Sequence, residues 1–212
     1  MKKGKIRKYC MRLTALALVG VLAVLLSMNK SEAAPSGKGV GNITDLQKAI
    51  AAGEENIYLT ADITYGSKYI ILQFNSGKNV TLDLNGHDII MNNSPRRCYF
   101  NVSSGTTLTI CDTSSTDGDE QGRIRHGGGF FGGGVRVDGE GTKLILESGG
   151  ISECEATCGG AVAVLDGASF EMNGGYIELS RTYGQSKNNE SAGNGNCSRF
   201  PLITLSALNL FL

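Results

Sequence analysis

Four glycine-led segments fix what this chain can become. GKNVTLDLNG from Gly77, GTTLTICDTS from Gly105, GTKLILESGG from Gly141 and GASFEMNGGY from Gly167 align without a gap. Three residues after each glycine stands Val80, Leu108, Leu144 or Phe170, and five residues after it Leu82, Ile110, Leu146 or Met172. Side chains two apart share one face of a strand, so each segment reads as a short strand with one apolar face. The copies begin 28, 36 and 26 residues apart. A unit that small cannot bury its apolar face alone. Stacking parallel coils ~4.8 Å apart joins the faces into a continuous column, which is a solenoid. Over the last two copies the match extends further. Gly133-Gly134-Val135 through Leu146 aligns with Gly159-Gly160-Ala161 through Met172, and Ile151 with Ile177, at an offset of 26 throughout.

Composition narrows the alternatives. Glycine makes up 30 of 212 residues, roughly twice its usual ~7% share. Only 3 prolines accompany it and 41% of the chain is hydrophobic, which excludes collagen and wholesale disorder. Tryptophan is absent and aromatics are 7%, a composition that disfavours large stacking platforms. Within 34–55, the stretch TDLQKAIAAG from Thr44 to Gly53 predicts one short capping helix. Thr44 or Asp45 caps it, Leu46, Ala49 and Ile50 form its apolar face, and Gly53 ends it. From residue 56 to 184 the chain reads as strand and turn alone, giving an all-β class.

The zero net charge hides an asymmetry. Lys2, Lys3, Lys5, Arg7, Lys8 and Arg12 precede an uncharged apolar run over 13–28, and Ser31-Glu32-Ala33-Ala34 supplies small residues after it. This is the pattern of a secretory signal over residues 1–33; the alternative is an uncleaved anchor, although 16 residues fall short of the ~20 that span a bilayer. No cysteine follows the run where a lipoprotein needs one, Cys10 lying before it. Cleavage after Ala33 leaves 13 basic and 19 acidic side chains, a net charge of −6. That balance argues against nucleic acid as a partner and places the mature domain outside the cell or at its wall, with no stable membrane span. Five cysteines remain: Cys98, Cys111, Cys154, Cys158 and Cys197. An odd number leaves one unpaired or paired to another chain. Cys154 and Cys158 either close a small loop or are buried fillers of the stack. His87 and His126 do not stand at zinc-ligand spacing from that pair.

NVTLDLNGHDI (79–89), GGGVRVDGEGTKLILESGGI (132–151) and GGAVAVLDGASFEMNGGYI (159–177) resemble the repeats of bacterial right-handed parallel β-helix surface proteins, pectin-lyase-like in fold and adhesin-like in use. TDLQKAIAAGEENIYLTADIT (44–64) is similar to the N-terminal capping segment of such proteins. The resemblance covers roughly 40–180. It implies a right-handed parallel β-helix with a short N-terminal capping helix, secreted or displayed on the cell surface, that contacts polysaccharide or host and matrix surfaces. It implies no particular site, because the repeats are structural.

The same fold houses polysaccharide lyases and hydrolases, so an active site has to be sought. The densest acidic segment is Asp112, Asp117, Asp119 and Glu120, followed by Arg123, Arg125 and His126. Carboxylates 117 and 119 around Gly118 could bend about calcium, yet the spacing lacks the bidentate Glu at the twelfth position of a helix-loop-helix calcium loop. The competing reading is a solvated turn inserted at a coil corner, which also explains the 36-residue copy. His87 follows the turn dipeptide Asn85-Gly86 with only Asp88 as a nearby acid, and reads as a turn residue. No nucleophile elbow is present. The glycine runs 127–129 and 132–134 lack the Lys-Ser/Thr ending of a phosphate loop and read as corners that need positive φ. Catalytic, cofactor and metal residues are therefore assigned to none, with calcium the one cofactor held open. Asn-x-Ser/Thr triplets at Asn42, Asn79, Asn92, Asn101, Asn189 and Asn196 carry no assigned function.

Residues 185–212 break the repeat. QSKNNESAGNGNCS (185–198) is polar, and 200–212 is apolar without glycine corners. Three readings stand: a terminal strand that closes the last coil, a reading-frame break in a longer protein, or a lipid-anchor signal.

Overall fold

The computed structural model describes residues 35–65, 70–91, 99–114 and 121–182, together with the backbone strand 203–205. These residues belong to one compact unit beginning at Pro35. The chain starts with β1 (Lys38–Val40) and α1 (Ile43–Ala52). The first coil follows with β2 (Asn56–Leu59), β3 (Ile63–Thr64) and β4 (Ile71–Phe74), and the second with β5 (Asn79–Asp83), β6 (Ile89–Ile90) and β7 (Tyr99–Val102). The third coil carries β8 (Thr107–Cys111), β9 (Arg123–Arg125), β10 (Gly128–Phe131) and β11 (Val135–Asp138). The fourth repeats this plan with β12 (Lys143–Leu146), β13 (Gly150–Ser152), β14 (Glu155–Cys158) and β15 (Val162–Leu165). Then come β16 (Ser169–Met172), β17 (Tyr176–Glu178), β18 (Arg181–Thr182) and β19 (Ile203–Leu205).

Every strand pairing is parallel, and like strands of successive coils stack into a β-solenoid of about four turns. Sheet 1 runs β1-β2-β5-β8-β12-β16-β19, sheet 2 runs β3-β6-β9-β13-β17, and sheet 3 runs β4-β7-β11-β15. A fourth sheet, β10-β14-β18, enters between sheets 2 and 3 from the third coil onward.

The predicted register is the observed one on sheet 1. Val80, Leu108, Leu144 and Phe170 are paired in sequence, as are Leu82, Ile110, Leu146 and Met172. Sheet 2 adds the inward ladder Ile63, Ile89, Ile124, Ile151 and Ile177. Sheet 3 contributes Leu72, Phe100 and Val135, with the Phe74 and Phe100 rings 5.5 Å apart. Apart from Ile177, which is exposed on the last coil, these side chains form one core or, like Met172, pack against it, and Leu82, Leu108, Ile124 and Leu144 are wholly buried. Each such side chain is worth ~1.5–3 kcal/mol relative to its exposed state.

On sheet 3 the offset of 26 fails. Val135 pairs with Val162 and Val137 with Val164, an offset of 27. The corner 139–142 is one residue longer than its counterpart 166–168, so 26 is restored where Lys143 faces Ser169. Three consecutive glycines at 132–134 match Gly159 and Gly160 equally well in either frame, and the sequence alignment took the wrong one.

Corners explain the leading glycines. Gly77, Gly105, Gly141 and Gly167 all have φ between 69° and 83°, the left-handed region that glycine enters without strain. Two threonines that follow such glycines tie the corners together. The buried Thr106 hydroxyl accepts from Gly77 N–H at 2.9 Å, and that of buried Thr142 from Gly105 N–H at 3.1 Å. The runs 127–129 and 132–134 differ from expectation: only Gly132 has positive φ. The others are there for space. A methyl group at Gly133 would collide with the Gly160 carbonyl and the Glu155 backbone of the next coil.

The capping helix is present, with a different cap. Asn42, not Thr44 or Asp45, takes the N-cap position, its side chain accepting from Asp45 N–H at 3.0 Å and donating to Asp45 Oδ2 at 2.8 Å. Leu46 and Ala49 are buried, Ile50 packs against the core, and Gly53 closes the helix at φ 73°. At the other end, β19 pairs in parallel with β16, Ile203 opposite Phe170 and Leu205 opposite Met172. Part of the apolar 200–212 stretch thus adds a further rung to sheet 1.

Candidate functional site

Chemistry-bearing side chains gather in two places: the corner between sheets 1 and 2, and the outer side of sheet 3 where it meets β10.

At the corner, Asp112 ends the third rung of sheet 1 and is 8% exposed. Its carboxylate accepts from Gly86 N–H at 3.2 Å, Ser114 N–H at 2.8 Å, Ser114 Oγ at 2.5 Å and Gly122 N–H at 2.5 Å. Asp83, one rung earlier, accepts from Asn85 N–H at 2.9 Å, Thr113 N–H at 3.0 Å and Thr113 Oγ1 at 2.6 Å. Both carboxylates are consumed in holding the loop backbone, and Asp112 supplies the partner of the buried Gly122 N–H. The insertion expected in the 36-residue copy does lie here, between β8 and β9. Asp117, Asp119 and Glu120 fall outside the described residues. Among the described residues no group of three or more potential metal ligands occurs.

The basic residues of the segment face elsewhere. Arg125 Nε lies 3.0 Å from Asp88 Oδ2 and Arg123 Nε 3.8 Å from Asp88 Oδ1, which also accepts from Arg123 N–H at 2.9 Å. His126 Nε2 is 3.0 Å from Glu153 Oε2. His87 Nδ1 is 3.3 Å from Asp62 Oδ1, on the preceding coil. Asp62 and Glu153 are the partners that sequence spacing missed, because each sits 25 or more residues away and becomes a neighbour only through the coil period. The segment 112–126 therefore splits into structural corner bonds and partly buried polar contacts between coils.

Cys111 lies at this corner, and Cys154 at the next one, between β13 and β14. Burial, followed by the Asp83, Asp112 and Glu147 carboxylates, pushes the Cys111 thiol up to about 12. Burial likewise pushes Cys154 up to about 12, although its backbone hydrogen bond with Gly127 opposes the shift. Both are free and stay protonated, hence poor nucleophiles. Cys158 is disulfide-bonded. The local Cys154–Cys158 loop is excluded, and Cys154 is the buried filler. Cys98 and Cys197 lie outside the described residues.

On sheet 3, outward side chains form a polar row in register: Gln73, Asn101 and Arg136. Asn101 Nδ2 donates to Gln73 Oε1 at 2.8 Å. Arg136 Nη2 donates to Asp138 Oδ2 at 2.5 Å, and its guanidinium carbon stands 5.9 Å from the Phe131 ring centre. Phe131 meets Phe130 edge-on, centroids 4.7 Å apart. Tyr99 of β7 borders Gly129 of β10 across the boundary between two sheets. Phe130 is 49% exposed, whereas Phe74, Phe100 and Phe170 are buried. One exposed aromatic, Phe130, thus stands on this surface with Phe131 packed against it. Sequence spacing could not reveal that Tyr99 borders Gly129, since the two belong to different coils.

A groove of about 350 Å³ lies between α1 and β4, lined by Gln47, Ile50, Ile71 and Gln73 among others, and holds no titratable side chain. Among the described residues no helix is long and apolar enough to cross a membrane. No protein-family model matches this chain, and no curated protein or solved structure matches it significantly.

Proposed function

We propose that this chain is a secreted or cell-surface β-solenoid module that contacts glycans or host and matrix surfaces without catalysis. The N-terminal signal over 1–33 is its export device, and the resemblance of the repeats to bacterial pectin-lyase-like and adhesin-like surface proteins supports the placement. The observation that carries the reading is the outer side of sheet 3. There Gln73, Asn101 and Arg136 stand in register beside Phe130 and Phe131. Amide and guanidinium groups at rung spacing, with an exposed aromatic alongside, match what a carbohydrate surface offers: hydroxyls in series and apolar ring faces. Two rung spacings are ~9.6 Å, about the length of a disaccharide unit.

A glycan panel tests this with the exported chain. Saturable binding to some of its members without release of reducing or unsaturated ends supports the reading. Turnover that is abolished by Asp117→Ala would overturn it in favour of a polysaccharide lyase or hydrolase, and absence of any binding would overturn the glycan contact itself.

A further inference from the structure

We infer that Phe130, Phe131, Arg136 and Asp138 form a subsite for a neutral, β-linked pyranose chain of gluco configuration; this rests on the glycan reading above and names its ligand class. Rigidity is the first argument. Phe130 is braced edge-on by Phe131, Phe131 lies beneath the Arg136 guanidinium, and Arg136 is held by Asp138. Each contact fixes the next, so the exposed ring is presented with little side-chain entropy left to lose on binding.

Charge selects the class. Arg136 and Asp138 neutralise one another, and Gln73 and Asn101 carry none. A polyuronide would bring carboxylates towards Asp138 and gain no free cation in return. A neutral sugar meets both a donor and an acceptor in the Arg136–Asp138 pair, suited to the adjacent hydroxyls of one ring. Shape selects the configuration. The apolar face that a sugar lays on an aromatic ring is a set of axial C–H bonds. Gluco-configured rings with equatorial hydroxyls present such faces, and β-linkage keeps the chain extended along the Asn101–Gln73 row.

Calorimetric titration of the full chain with cellohexaose, chitohexaose and polygalacturonate tests the assignment. The expected result is binding of at least one neutral hexasaccharide, weakened about tenfold or more by Phe130→Ala, with unchanged melting temperature, and largely retained by Phe130→Tyr. Affinity should change less than about threefold between low and high salt, because no net charge is neutralised. Asp138→Asn frees the Arg136 charge and should shift preference towards polygalacturonate. Wild-type binding to polygalacturonate alone, or neutral-glycan binding indifferent to Phe130→Ala, overturns the subsite while leaving a glycan contact intact. Binding only to other members of the glycan panel likewise overturns the subsite alone, and binding to no glycan at all overturns both.

Discussion

Replacing Leu144 by alanine probes the stacked column at its centre. Leu144 is wholly buried, with Leu108 wholly buried one rung before it and Phe170, 3% exposed, one rung after. Truncation removes the transfer free energy of the lost carbons and leaves a cavity between two rungs whose spacing is fixed by backbone hydrogen bonds. Collapse is therefore limited, and the cost lies in the upper part of the leucine-to-alanine range, about 4 kcal/mol. For a domain of this size that corresponds to a fall in melting temperature of about 8–16 °C. Denaturant unfolding followed by circular dichroism measures it. The internal control is Ile145→Ala on the same strand, whose side chain faces outward and is half-buried; it should cost no more than about 1 kcal/mol. If Ile145→Ala matched or exceeded Leu144→Ala, the two-residue alternation and the inward register would be wrong.

Other outcomes follow from the corners and the cap. Asp112→Ala strands the buried Gly122 N–H and unties the Gly86 and Ser114 N–H groups, and should lose about 3 kcal/mol, measured as above; loss below about 1 kcal/mol would mean that the carboxylate is not what holds the corner. Asn42→Ala removes the α1 cap and should cost about 1 kcal/mol. Cys111 and Cys154 should resist a disulfide reagent in the native state. With thiol pKa raised from 9.0 to about 12, thiolate at pH 8 falls about a thousandfold. The same shift means that between pH 9 and 12 only the unfolded chain releases these protons. Stability therefore falls as pH rises through that window and is insensitive to these thiols below it. Rapid native labelling at pH 8, or stability that rises over pH 9 to 12, would refute the buried protonated thiols.

How much of this was legible in sequence depends on the distance at which each signal acts. Strand parity is a two-residue signal, so Val80, Leu108, Leu144 and Phe170 could be aligned from text alone. The leading glycines were legible because glycine enters the left-handed region without strain, whereas the positive φ of Ser104 and Asp166 just before two of them carries no such mark. Registers that pass through glycine runs were not. Gly132, Gly133 and Gly134 have no side chains to distinguish one frame from the next, and a one-residue difference between corners was hidden among them. Pairs formed across the coil period were also illegible. His87 with Asp62, His126 with Glu153 and Thr106 with Gly77 need the vertical stack to bring them together, and insertions change their separation from coil to coil. The acidic segment 112–126 looked like one constellation because it is contiguous. In three dimensions Asp112 turns into the corner while Arg123 and Arg125 reach Asp88. The face formed by Gln73, Asn101, Arg136 and the two phenylalanines draws on three coils, so no local motif marks it.

The most direct measurement of the stacked register uses spin labels on the outward column of sheet 1, where Thr81, Thr109, Ile145 and Glu171 pair in sequence. Cysteine replacements at Thr81 with each of the other three positions, read by dipolar broadening, should give separations near ~5, ~10 and ~14 Å, one rung spacing per step. The native Cys111 and Cys154 thiols, protonated at neutral pH, should stay unlabelled. Distances that fail to rise in equal steps, or a Thr81–Glu171 separation beyond roughly twice the three-rung spacing, would contradict a parallel stack of coils.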